Sequence, residues 1–124
     1  MHARVLNYIG HFGRTQEIVQ VFHEKIVPAA QQQPGFVGGA LFSDEATGKV
    51  LTISFWDTEA AMVRGEADGY LQNLLALTRR LAASEPTVEH YAVSEAPQLP
   101  PLGVSRHTSG GTARASAGDA PSPP

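Results

Sequence analysis

The chain has 124 residues, 42% of them hydrophobic, which suffices for one domain with its own core. A formal charge of -3 with no run of Lys or Arg speaks against nucleic acid or anionic lipid as a partner. The absence of cysteine removes disulfides, thiolate catalysis, iron–sulfur clusters and cysteine zinc sites.

The N-terminal stretch from Met1 to Gly10 is too short and too polar for a signal core or a membrane span, so the expectation is a cytoplasmic protein without a membrane partner. A first strand is predicted over Ala3 to Ile9, where Val5, Asn7 and Ile9 alternate with Arg4, Leu6 and Tyr8 before Gly10 and Gly13. Ile18, Phe22, Ile26 and Ala29 or Ala30 recur at helical spacing between Thr15 and Gln33. Pro28 is expected to kink or tighten that helix and Pro34-Gly35 to stop it. Phe36 to Ser43 and Lys49 to Trp56 are rich in β-formers and flank a polar Asp44–Gly48 turn, a hairpin pattern in which Gly38-Gly39 marks a bulge or a close backbone approach. Asp57 or Thr58 can cap a second helix that carries Ala61, Met62, Tyr70, Leu74, Leu77 and Leu81 along one side. Gly65 and Gly69 interrupt it early, either as a plain break or as a lid hinge. Pro86 restarts the chain into a last strand over Val88 to Val93.

The composition then changes. Half of the 28 residues from Pro97 to Pro124 are Pro, Gly or Ser, with no aromatic residue, which predicts a disordered tail of 97–124 behind a folded domain of 1–96. The order β-α-β-β-α-β implies an α+β, ferredoxin-like fold with a four-stranded antiparallel sheet covered on one face by both helices. The other face should be polar if it meets water, yet the strands are apolar on both sides: Leu51, Ile53 and Phe55 behind Val50 and Trp56, Leu6 and Tyr8 behind Val5 and Ile9, Phe36 and Phe42 behind Val37 and Leu41. A second copy laid sheet against sheet is the economical cover, so a homodimer is expected.

Ile26-Val27-Pro28-Ala29, Gln33-Pro34-Gly35-Phe36, Ala46-Thr47-Gly48-Lys49 and above all Ile53-Ser54-Phe55-Trp56-Asp57-Thr58-Glu59-Ala60-Ala61-Met62 resemble the antibiotic biosynthesis monooxygenase family of dimeric α+β barrels, over roughly Ala3 to Glu95. The resemblance implies that fold and a cavity between sheet and helices. Relatives of this kind include cofactor-independent oxygenases of polycyclic aromatic molecules, haem-degrading enzymes and proteins without an assigned reaction. Asn7 and Trp56 stand where some members place a cavity-lining Asn and Trp. A family Tyr early in the second helix has no match, since Met62 and Val63 stand there, and that helix has no His to ligate haem.

Trp56, at a strand end before a helix cap, suits either a core aromatic or the wall for a planar substrate. Asn7, flanked by apolar neighbours, needs a partner for its amide, from the backbone or from a ligand. The histidines His2, His11, His23, His90 and His107 show no metal-chelating spacing, so no metal is expected; His90, on a strand face with Val88 and Ala92, is the candidate general base or a half-buried residue at the dimer seam. Gly38-Gly39 lacks the order of a nucleotide loop, and Arg79-Arg80 suits the end of a helix. The reading is therefore a cofactor-independent monooxygenase or oxidase that takes O₂ to a phenolic or polycyclic aromatic small molecule. The alternatives are a non-catalytic or ligand-sensing dimeric barrel and an isomerase or cyclase on the same scaffold. Asn7, Trp56 and His90 are its expected catalytic residues, with Thr52, Ser54, Met62 and Tyr70 as substrate contacts. If Asn7 pairs near Thr52, Asn7 and Trp56 would flank one ligand beneath the helices.

Overall fold

A computed structural model describes residues 1–97. The expected tail, apart from Pro97, lies outside the described residues. The elements are β1 (His2–Ile9), α1 (Thr15–Val21), a π-helical turn (Phe22–Ile26), α2 (Val27–Gln31), β2 (Phe36–Asp44), β3 (Lys49–Trp56), α3 (Glu59–Ala67), α4 (Tyr70–Leu81) and β4 (Thr87–Ala92). The strands form one antiparallel sheet in the order β2-β3-β1-β4, the ferredoxin-like arrangement, and the sheet does not close on itself.

Local chemistry explains most boundaries. Pro28 has no N–H for the carbonyl four residues earlier and its ring crowds that carbonyl, so the helix widens just ahead of it, with the Val27 N–H reaching back to the Phe22 carbonyl. Proline thus loosens this helix rather than tightening it. Thr58, not Asp57, caps α3, its hydroxyl accepting the Ala61 N–H at 3.0 Å. Gly69, at φ 96°, parts α3 from α4, while Gly65 stays inside α3.

The register of β1 on β3 decides which side chains meet the helices. Arg4 lies opposite Ser54, Leu6 opposite Thr52, and Asn7 opposite Leu51. Opposed residues share a face, so Arg4, Leu6 and Tyr8 join Thr52, Ser54 and Trp56 under the helices. Leu6 packs there on Leu71 and Leu74, and Tyr8 on Ile18, Val50 and Leu81. Val5, Asn7 and Ile9 face the other way with Leu51, Ile53 and Phe55, one residue out of step with the expected Asn7–Thr52 pairing. Both alternating sets of β1 are mainly apolar, so the hydrophobic pattern did not choose between the faces.

A bulge between Phe36 and Gly38 likewise splits the expected Phe36/Phe42 pair: Phe36 turns toward Trp56, while Phe42 stands on the open face, 51% exposed. Close approach is present too, for a methyl group on Gly39 would sit 2.4 Å from the Ile53 carbonyl oxygen. The open sheet face carries Phe42, Tyr91 and Ile9 as exposed apolar groups among the described residues.

Candidate active site

Trp56 is wholly buried where β3 ends. The Thr58 cap turns α3 back at once, which lays Ala61 and Met62 against the indole. Its N–H donates to Ser54 Oγ at 2.9 Å, leaving the Ser54 hydroxyl proton free for another acceptor. Phe36 and Tyr70 meet the indole edge-on, with ring centres 5.5 and 6.2 Å away.

Beside this aromatic cluster lies a buried guanidinium. Arg4 is 2% exposed, and its central carbon stands 5.3 Å from the Trp56 ring centre and 6.0 Å from that of Tyr70. Nε donates to Glu66 Oε2 at 3.2 Å and Nη2 to the Met62 carbonyl at 2.6 Å, while Nη1 is buried without a partner. Glu66 Oε2 also meets His90 Nε2 at 2.5 Å, so a chain of polar contacts runs from the half-exposed His90 through Glu66 to Arg4. Burial raises the Tyr70 hydroxyl above the ordinary phenol range and the nearby Arg4 charge opposes that rise, so Tyr70 stands as a neutral hydroxyl at neutral pH.

Between sheet and helices, Arg4, Leu6, Phe22, Phe36, Thr52 and Ser54 line an inner crevice of about 20 Å³, space for about one water. An outer cleft of about 410 Å³ opens between the α1–α2 helix and α4, lined by residues such as Lys25, Gln33, Asn73 and Leu77. Ile26, Tyr70 and Leu74 border both spaces and form the partition. Each end of that partition adjoins an irregularity of the backbone: Ile26 closes the π-helical turn and Tyr70 follows Gly69. A wall built at such points can move without breaking a regular helix.

The structure gathers five of the seven expected site residues. Thr52, Ser54 and Tyr70 line the inner crevice, with Trp56 and Met62 packed together beside it. His90 sits on the edge strand β4, opposite Arg4, and reaches the cluster through Glu66. Asn7 lies elsewhere, on the open face of the sheet, with its amide 3.4 Å from Glu89 Oε1. Within one chain Asn7 and Trp56 therefore do not flank a common ligand, because the one-residue register difference puts the sheet between them.

Arg4 and Glu66 escaped the sequence reading. A signal for Arg4 was present: it is the one charge in the alternation with Leu6 and Tyr8. Gly65 packs against Tyr70, where a methyl would come within 3.0 Å, and so serves close contact rather than a hinge. Among the described residues no three His, Asp or Glu side chains are grouped as a metal site, and no helix is long and apolar enough to cross a membrane.

Comparison with curated proteins gives no match. Solved structures do align. A variant of SnoaB, a cofactor-independent oxygenase from Streptomyces nogalater, is 24% identical with a TM-score of 0.62, over 78% of this chain and 97% of that one. A monooxygenase from the gene ActVA-Orf6 of Streptomyces coelicolor, in complex with nanaomycin D, is 19% identical with a TM-score of 0.65, over 80% and 91%. A protein of unknown function from Nitrosomonas europaea, 17% identical with a TM-score of 0.62 over 80% and 93%, shares the fold as well. The family model of the antibiotic biosynthesis monooxygenases matches residues 1–64, which carry β1, the first helix, the hairpin and the start of α3. On that match and this fold, the chain belongs to the antibiotic biosynthesis monooxygenase family.

Proposed function

We propose that the protein is a cofactor-independent monooxygenase or oxidase that acts with O₂ on a phenolic or polycyclic aromatic small molecule, as a cytoplasmic homodimer. The observation that carries this reading is the crevice itself: aromatic and aliphatic walls from Phe22, Phe36, Tyr70 and Leu74, with the Arg4 guanidinium and the hydroxyls of Thr52, Ser54 and Tyr70 as its polar side-chain groups. Such walls suit a flat, apolar ligand held in one orientation by a few donors. Entry of fused rings requires Ile26, Tyr70 and Leu74 to part, joining the crevice to the outer cleft.

The chemistry then falls to the substrate. An anthrone-type CH₂ flanked by rings loses a proton, and the resulting carbanion reduces O₂. A carbon–oxygen bond forms and the oxygen–oxygen bond breaks; one oxygen remains as the new carbonyl and the other leaves as water. The protein binds the rings, accepts the proton, stabilises the negative oxygen and keeps bulk water out. We assign the His90–Glu66 pair as the acceptor, reached by way of a water because neither side chain lines the crevice; the pair adjoins the buried guanidinium and reaches the surface. Dimerisation uses the open sheet face, whose Ile53, Phe55 and Phe42 would otherwise stay in water.

The test is O₂ uptake with a panel of anthrones and hydroquinones, with ¹⁸O₂ to follow the label. Uptake well above the spontaneous rate and one labelled oxygen in the product are expected. Uptake at the spontaneous rate across the panel would refute the assignment.

A further inference from the structure

We infer that Arg4 is the anion-recognising group of this protein, its Nη1 receiving a single ring-borne phenolate or enolate oxygen. This inference rests on the functional reading above and narrows its substrate class.

The guanidinium is 2% exposed and held on three sides: Nε by Glu66, Nη2 by the Met62 carbonyl, its flat faces by Trp56 and Tyr70. Nη1 alone is buried without an acceptor. An unmet buried donor is costly, by about 1–3 kcal/mol, and more when charged, so the arrangement is completed by an acceptor from outside the chain. Arg4 lines the inner crevice, where neither carboxylate nor imidazole stands among the lining residues to compete for it.

The shape of the acceptor follows from the room left beside the guanidinium. A carboxylate or phosphate is normally gripped by two parallel N–H groups of one guanidinium edge. Here Nε and one N–H of Nη2 are engaged, and the crevice that Nη1 adjoins has space for about one water, room for one oxygen rather than two. Thr52 and Ser54 contribute hydroxyls to the same crevice, and the Ser54 proton is free because its oxygen accepts from the indole. The aromatic walls take the ring that bears the oxygen. A phenol or enol bound there should ionise more readily than in water, because the charge that forms is met by a fixed cation in a dry site.

The titratable groups around the guanidinium are Glu66 of α3, Tyr70 of α4, His90 of β4 and, two residues along β1, His2. Glu66 competes with the ligand for the Arg4 charge. Removing its charge should therefore strengthen the effect of Arg4 on a bound phenol.

The experiment uses 2-hydroxyanthraquinone and its methyl ether, bound without O₂ to the full chain. Affinity is read from quenching of Trp56, the chain's one tryptophan, and ionisation from the dye's long-wavelength absorbance. In the wild type the bound phenol should ionise at least one pH unit below the free dye, and bind at least tenfold tighter than the ether once ionised. Arg4→Met should abolish the shift and bring the two affinities together, leaving the ether's own affinity unchanged within about twofold. Glu66→Gln, at a part-exposed position, decides the matter if Arg4→Met does not fold: it should lower the ionisation pH of the bound dye further. A wild-type dye that ionises as it does in water, an Arg4→Met protein that keeps the preference, or a Glu66→Gln protein with an unchanged or raised ionisation pH would each overturn the inference. Binding with these properties and no O₂ uptake leaves Arg4 its role and removes the oxygenase; O₂ uptake indifferent to Arg4→Met does the reverse.

Discussion

Replacing Trp56 by phenylalanine keeps a ring in the floor of the site and removes three things that the structure makes explicit. The indole N–H bond to Ser54 Oγ, 2.9 Å long, is lost, at a net cost of about 1 kcal/mol. The guanidinium of Arg4, 5.3 Å from the indole centre, faces a weaker ring, costing roughly another 0.5–1 kcal/mol. The smaller ring leaves a void among Phe36, Met62 and Tyr70 at a wholly buried position, which adds about 1–2 kcal/mol. The sum is about 3 kcal/mol, a large part of the stability of a domain this size. The assay is urea unfolding followed by far-ultraviolet circular dichroism, because the substitution removes the only tryptophan and with it the fluorescence signal. A double-mutant cycle with Ser54→Ala separates the parts: about 1 kcal/mol of coupling is expected, since Ser54 loses its donor in either order. A Trp56→Phe loss below about 1 kcal/mol, or no coupling to Ser54, would show that this residue does not organise the cluster.

Gly39→Ala places a methyl 2.4 Å from a backbone oxygen of the neighbouring strand, so a loss of several kcal/mol, on the order of 3 or more, is expected in the same urea assay; a loss under 1 would mean that β2 and β3 separate easily there. Burial pushes the Tyr8 phenol up from 10.0 to about 12, so the folded state holds this proton after the unfolded chain has released it. Stability from this group is whole below pH 10 and falls as pH rises from 10 towards 12, by up to about 1.4 kcal/mol per pH unit. Tyr8→Phe should flatten that alkaline loss, and melting curves at pH 8 and 11 that fall equally in both proteins would refute the assignment. Light scattering at micromolar concentration should give twice the chain mass, and a monomer would leave the open sheet face unexplained. Asn7→Ala, on that face, should change the dissociation constant of the dimer while leaving dye affinity in the crevice within about twofold; weakened dye binding by an intact dimer would argue that Asn7 reaches the ligand.

Much of the fold was legible because its causes are local. The Asp44–Gly48 turn, the cap ahead of α3, the break at Gly69 and the disturbance around Pro28 depend on residues a few positions apart, and each stands within a residue or two of its expected place. The four residues Thr52, Ser54, Trp56 and Tyr70 were also accessible, since the strand rhythm and the helix that follows set their facing. The bulge after Phe36 was visible as Gly38-Gly39, but not which neighbours it would turn over.

What the sequence determined by itself was the order β-α-β-β-α-β and the presence of two apolar sheet faces. The tertiary structure alone decided which set of β1 meets the helices, because each alternating set, Arg4, Leu6 and Tyr8 or Val5, Asn7 and Ile9, has two largely apolar side chains and one polar one, and such a pattern does not choose a face. The same step decided the chemistry of the site: Arg4 finds Glu66 62 residues away and His90 further still, and contacts across such distances exist only once the strands have paired.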